Sequence, residues 1–267
     1  MLVKAWKLYA YASAVLVATG LLVRGAELFA DYAAQRSTAR AYSHPWEYGV
    51  VQVDLDDSYC TGVLVGDRTV VTAAHCLVDM KPSRLVVNFL GPKASPKSPP
   101  KREDSIEAST SDSHPDYDED VDYLNDIGII KLPRDAPKKW RRIPIKTGGN
   151  AGLGSYLMLG YGGGGDPFSA RRDDADIRLK TLALNSAWPP YGEIITSLRL
   201  SPPYPCFGDS GGPVLEIGTG GPELVGVVSS ILNFSPAMCS NIMYASPIRD
   251  WERGWIMGGR TRFSTAH

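Results

Sequence analysis

Residues 206–213 read Cys206-Phe207-Gly208-Asp209-Ser210-Gly211-Gly212-Pro213. Three glycines surround one serine, so the backbone turns sharply and nothing blocks approach to the hydroxyl. The N–H groups of Gly208 and Ser210 are candidates to point at one spot, as donors to a developing oxyanion must. A serine hydroxyl is a poor nucleophile until a histidine accepts its proton. That histidine needs a carboxylate to hold its tautomer and stabilise its cation. Ser210 therefore needs one histidine and one acid, each in an unusual local setting.

The same eight residues satisfy Gly-x-Ser-x-Gly, the nucleophile turn of α/β-hydrolases, but that fold takes its histidine after the serine. Only His267, the last residue, lies there. His75 lies well before it, in Val70-Val71-Thr72-Ala73-Ala74-His75-Cys76, where a strand-like run ends at small residues. His44 and His114 each precede a proline and read as structural. Asp126 opens Asp126-Ile127-Gly128-Ile129-Ile130-Lys131-Leu132. An acid heading an apolar strand is placed to be buried, and a buried carboxylate requires partners, His75 first among them. Asp116, Asp118, Asp120 and Asp122 alternate just before it. They lack a calcium-loop signature and read as a solvated acidic loop.

Around these residues the chain reads as short strands. Val50–Val53, Gly62–Val65, Thr69–Thr72 and Leu85–Phe89 are β-rich, with Gly66-Asp67 as a turn signal. Residues 91–122 are poor in apolar side chains, proline-rich at first and acidic at the end, and are expected to form one long surface loop. Further strands are expected at Tyr156–Leu159, Ile177–Leu182, Ile194–Leu200, Pro213–Leu215 and Leu224–Ser229. Ser246-Pro247 is expected to open a helix, with Ile248, Trp251, Trp255 and Ile256 at helical spacing. The fold class is all-β, two runs of about six short strands closed by one helix.

The 267 residues suffice for one large β domain or two fused small ones. A formal net charge of −1 makes no case for a nucleic-acid or anionic-membrane partner. The four cysteines, Cys60, Cys76, Cys206 and Cys239, form no CxxC pair, which argues against a zinc or thioredoxin-like site. An even count suits two disulfides in an oxidising compartment, and spacing alone leaves all three pairings open. Lys4 and Lys7 precede an uncharged apolar run, Leu8–Val23. Residues 1–30 therefore read as a signal anchor or signal peptide, and 31–44 as a stalk. Either reading exports the rest of the chain, which is membrane-anchored if the first segment is kept and secreted or periplasmic otherwise.

Thr72-Ala-Ala-His75-Cys76, Asn125-Asp126-Ile127-Gly-Ile-Ile-Lys-Leu132 and Gly208-Asp-Ser210-Gly-Gly-Pro213 resemble the three signature blocks of the trypsin/chymotrypsin-like serine proteases, in the family's order. The triad template used to assign roles comes from that same family. The resemblance runs from about Trp46 to Trp255. It implies two six-stranded antiparallel β-barrels, at about 45–148 and 149–245, with a helix at about 246–257, all within a protease domain spanning 45–267. It implies a triad of His75, Asp126 and Ser210, an oxyanion hole from Gly208 and Ser210, and disulfides Cys60–Cys76 and Cys206–Cys239. Ser229 matches the serine beside the buried aspartate. Gly160-Tyr161-Gly162-Gly163-Gly164-Gly165 satisfies GxGxxG, but Asp166-Pro167 follows instead of a helix, so it reads as ordinary barrel structure. No metal or organic cofactor is implied, and the expected partner is a protein or peptide substrate.

Three departures from the family pattern bear on function. Tyr204 stands where an acid would select Arg or Lys. Ser230-Ile231 replaces the usual Trp-Gly after the pocket serine, so Tyr204, Ser229, Ile231 and Ile242 are expected to shape a pocket for small, uncharged residues. No Ile-Val-Gly-Gly-like activation sequence precedes Trp46; near Ala33 the chain reads Tyr32-Ala33-Ala34-Gln35. In the family, the aspartate matching Asp209 pairs with an α-amino group released by proteolysis; here either processing in the 31–41 stalk supplies an unusual terminus or, as the preferred reading, an internal cation or hydrogen-bond donor replaces it. The expectation is a serine endopeptidase; the alternatives are a latent protease-fold binding protein and an esterase.

Overall fold

The computed structural model describes residues 44–258 except 57, 94–99, 119, 121–124, 148–155, 163–179, 185–194, 199–204 and 232–241. The expected anchor and stalk lie outside the described residues, as do Tyr204 and Cys239. Among the described residues no helix is long and apolar enough to cross a membrane.

The first sheet contains β1 (Val50–Asp54), β2 (Tyr59–Gly66), β3 (Thr69–Thr72), β4 (Val86–Lys93), β5 (Pro100–Glu107), β6 (Thr110–Ser113) and β7 (Gly128–Lys131). These seven antiparallel strands run in the order β5-β4-β1-β2-β3-β7-β6. The two ends of that order are one stretch of chain, because only Ala108 and Ser109 separate β5 from β6. At this corner the Ala108 N–H still bonds Leu85 O (2.9 Å), while the Ser109 N–H bonds Lys131 O (2.8 Å). One bent ribbon therefore joins β4 to β7 and closes the sheet, so the first barrel is six-stranded when that ribbon is counted once.

This ribbon corrects the expected long loop at 91–122. Within it, residues 100–107 and 110–113 are strand because their backbone pairs with β4 and β7. Its side chains gave no sign of it: Lys101, Arg102, Glu103 and Glu107 are exposed, and Ile106 is the buried apolar residue of β5. Ion pairs hold its outer face, with Arg134 bridging both Asp104 oxygens at 2.8 Å and Lys139 reaching Glu103 at 3.2 Å. The Arg134 guanidinium holds the Asp104 carboxyl below its usual range.

The second sheet contains β8 (Tyr156–Gly160), β9 (Lys180–Leu184), β10 (Ile195–Leu198), β11 (Pro213–Gly218), β12 (Gly221–Ile231) and β13 (Ile242–Pro247), in the order β10-β13-β12-β11-β8-β9. Helix α1 follows at Asp250–Ile256, later than the expected start at Ser246. Ser246 and Pro247 instead complete β13, where Pro247 lies opposite Gly226. A proline lacks an N–H, so it suits the last position of a strand as well as the first of a helix. Arg249 is the residue before the helix, and its N–H donates to Glu252 (3.0 Å).

Apolar side chains of β1–β4 and β7 fill the first barrel, joined by Ile106 and Trp140. Trp140 donates from Nε1 to Val50 O (3.0 Å) and meets Phe89 edge-on at 5.2 Å. Met158, Val214, Val225, Val228 and Met243 are core residues of the second sheet. Cys60 and Cys76 are disulfide-bonded across 16 residues, fixing the end of β3 to β2. Cys206 is disulfide-bonded as well. Because Trp140 fills the first barrel and caps a β1 carbonyl, Trp140→Ala should lower stability by about 3–5 kcal/mol. The check is the urea midpoint of unfolding followed by circular dichroism.

Candidate active site

His75 follows the end of β3, at a point fixed by the adjoining disulfide. Asp126 immediately precedes the chain that enters β7, the strand paired to β3, so strand pairing brings acid and histidine together. The Asp126 carboxylate has no exposed surface. Its Oδ1 accepts the His75 backbone N–H (2.9 Å), and Oδ2 lies 2.7 Å from His75 Nδ1. Oδ2 also accepts the Ser229 hydroxyl (2.6 Å), and the Asp126 N–H donates to Ser246 Oγ (3.1 Å). A carboxylate oxygen only accepts, so this contact assigns the imidazole proton to Nδ1 and leaves Nε2 as the basic nitrogen. The His75 side chain is 26% exposed, which keeps its ring within reach of a substrate.

Ser229 and Ser246 lie on β12 and β13 of the second sheet. The carboxylate of the first barrel is therefore satisfied in part by the second. Ser246, expected to cap the helix, is spent on this contact.

Ser210 is partly exposed in a loop that begins as a turn. The Asp209 N–H donates to Cys206 O (3.1 Å), and Gly208, third residue of this turn, has φ +91°. A positive φ there is the mark of a type II turn, and it sets the direction of the peptide that carries the Gly208 N–H. Beyond the turn, the Gly212 N–H bonds Asp209 O (2.9 Å) and the Gly211 N–H bonds Val228 O (2.7 Å). Among the described residues, neither the Gly208 nor the Ser210 N–H donates to a backbone carbonyl.

Asp209 points inward and is fully buried. Its carboxylate accepts the Gly162 N–H (2.7 Å) and the Cys206 N–H (2.8 Å). Glycine is required opposite it. A Cβ on Gly160 would sit 2.2 Å from Asp209 Oδ1, and one on Gly162 would sit 2.5 Å from the Asp209 nitrogen. Gly160 ends β8, so the stretch is barrel structure as expected; the sequence reading missed its close approach to Asp209. Thr61 was missed too. It is fully buried on β2 and bonds Ser210, Gly208 and Tyr161. Glycine pairs flanking an aromatic residue, and a threonine directly after Cys60, are the signals present in the sequence.

Of the expected pocket residues, Ser229 is buried beside Asp126 and Ile231 is half-buried at the end of β12. Tyr204 and the Ile242 side chain lie outside the described residues. Among the described residues, Cys60, His75 and Cys76 come close enough to suggest a metal site, but both sulfurs are used in the disulfide.

A family model described as Trypsin matches residues 34–251. The chain belongs to the trypsin family. Human kallikrein-7 is 26% identical over 224 residues, covering 80% of this chain and 83% of that protein. Human kallikrein-9 is 30% identical over 205 residues, covering 71% and 76%. Rat granzyme M is 27% identical over 221 residues, covering 76% and 79%. A solved structure of HL collagenase superposes with TM-score 0.60 at 22% identity, covering 82% of this chain and 98% of the other, and it supports the trypsin-like fold.

Ser229 donates one of the hydrogen bonds that satisfy a fully buried carboxylate. Ser229→Ala should therefore destabilise the protein by about 1–3 kcal/mol. A parallel urea titration of the two proteins measures the difference.

Proposed function

We propose that this trypsin-family chain is an active serine endopeptidase with Ser210 as nucleophile, His75 as general base and acid, and Asp126 as the group that holds the histidine. The observation that carries this reading is the fully buried Asp126 carboxylate, bonded to both the backbone and the ring of His75. Such a contact fixes the tautomer and stabilises the imidazolium that forms as the serine loses its proton. In the proposed reaction Ser210 Oγ attacks the scissile carbonyl and His75 Nε2 takes its proton. The carbonyl oxygen becomes an oxyanion received by the Gly208 and Ser210 N–H groups. Collapse expels the amine, which takes a proton from His75, and leaves an acyl-enzyme. Water attacks the ester by the same route and frees Ser210.

The substrate class is protein or peptide, as the family implies. The expected preference before the scissile bond is a small, uncharged residue. Ile231 supports this, being a branched side chain two residues beyond Ser229 in β12. Tyr204 supports it from sequence, because it offers no carboxylate for Arg or Lys, and burying either charge unpaired is costly. The Cys60–Cys76 disulfide supports work in an oxidising compartment outside the cytoplasm.

Labelling by a fluorophosphonate probe tests the nucleophile. Wild type should label and Ser210→Ala should not. On a peptide substrate, Ser210→Ala, His75→Ala and Asp126→Asn should each lose roughly 10⁴-fold in kcat or more, because triad members act as a unit. Near-normal turnover in any of the three overturns the assignment. A peptide library should show cleavage after alanine-sized residues, and Ile231→Gly should broaden acceptance toward larger ones; dominant cleavage after Arg or Lys refutes the pocket reading.

A further inference from the structure

The oxyanion hole imposes a constraint on its own loop. The Gly208 and Ser210 N–H groups have to stay available to a substrate oxygen, so the loop cannot be anchored by them. Beside the Gly211 and Gly212 N–H bonds, the carbonyls of those two residues are what can anchor it. Both carbonyls go to a single residue on the other barrel. The Thr61 N–H donates to Ser210 O (2.8 Å), and the Thr61 hydroxyl donates to Gly208 O (2.7 Å).

The remaining polar groups of Thr61 are also used. Its Oγ1 accepts the Tyr161 N–H (3.0 Å), and its carbonyl accepts the Thr72 hydroxyl (2.8 Å). Thr72 ends β3, three residues before His75. Tyr161 adjoins Gly162, whose N–H binds Asp209. Thr61 therefore links the strand that leads to the histidine with the loop that carries the nucleophile and the oxyanion donors. It has no exposed surface of its own.

We infer that Thr61 is a positioning residue, its hydroxyl holding Gly208 so that the oxyanion donors keep their place relative to His75. This rests on the proposed peptidase reading. Serine in its place preserves both hydroxyl bonds. Valine matches the shape but removes the donor to Gly208 O and the acceptor for the Tyr161 N–H. The Gly208 carbonyl then loses the donor that fixes it, and any shift of that residue carries its N–H along. A displaced donor weakens transition-state stabilisation more than ground-state binding, so the loss falls on kcat.

The experiment compares the full chain with Thr61→Val, Thr61→Ala and Thr61→Ser, well below each protein's melting temperature. Three quantities are read: the fluorophosphonate labelling rate, kcat and KM on an alanine-terminated peptide p-nitroanilide, and the affinity of a peptidyl boronate. Valine and alanine variants should lose about 10–100-fold in labelling rate, in kcat and in boronate affinity, with KM within about 3-fold, a partial version of losing one oxyanion donor. Serine should keep all three within about 3-fold. Folded valine or alanine variants with wild-type kcat and labelling overturn the inference. So does a serine variant as impaired as valine, since methyl packing and not the hydroxyl would then matter. Should valine fail to fold, alanine carries the comparison. Absence of labelling in wild type would instead sink the peptidase reading itself, a result distinguishable from failure of the Thr61 role alone.

Discussion

A carboxylate without exposed surface persists only where donors surround it, and Asp126 sets that condition for the whole site. Taking such a charge from water costs several kcal/mol, and each hydrogen bond to it returns about 1.5–3 kcal/mol. The donors come from three places: the His75 backbone, the His75 ring, and Ser229 on β12. No one of them is local in sequence. The acid therefore demands that the β3–β7 pair and the second sheet be assembled together. Once they are, the imidazole has one tautomer and one orientation. The requirement that makes the residue expensive to bury is the same one that fixes the imidazole.

Asp209 repeats the pattern on the other barrel. It is buried as completely and accepts two backbone N–H groups, from Gly162 and Cys206. The two acids divide the work. Asp126 orients the His75 ring, and Asp209 ties the 206–212 turn to the 160–162 stretch. The glycines at 160 and 162 are the counterpart of the second acid, since a Cβ at either would occupy the space its carboxylate and backbone need.

Legibility followed apolar content and local context. β1 to β4, β7, β11 and β12 carry apolar β-branched runs, and their existence was readable from sequence. β5 and β6 were not, because Lys101, Arg102, Glu103 and Glu107 face solvent and the ribbon is held by its backbone and by ion pairs. The helix start was misplaced by a proline whose two preferred positions, strand end and helix start, are chemically alike. His75 and Asp126 stood out because each sits at the end of a strand in a recognisable block. Thr61 did not. A threonine in a strand is ordinary, and its importance lies in what crosses from the other barrel, which no local pattern records.

Among the described residues, directional contacts tie the two barrels at several points. Hydrophobic contact is roughly proportional to area and carries little orientation, whereas a hydrogen bond fixes distance and angle. Asp126 with Ser229 and Ser246 makes one tie, and Thr61 with Gly208, Ser210 and Tyr161 makes a second. The chain crossing from 144 to 146 makes a third, exchanging backbone bonds with Leu224 (2.8 and 2.9 Å). Helix α1 adds a fourth. It comes from the second half of the chain yet packs on the first, with His114 edge-on to Trp251 and Trp255 at 4.9 and 5.5 Å, and Lys131 of β7 donating to Ile256 O (3.3 Å). Partial burial pulls that lysine's pKa down, so the bond to the helix end is made in a partly desolvated setting. The proposed reaction would lose rate steeply if its groups moved by an ångström, and so would need a joint that resists sliding. Four polar ties at separate points supply that resistance in a way that an apolar seam of equal area would not.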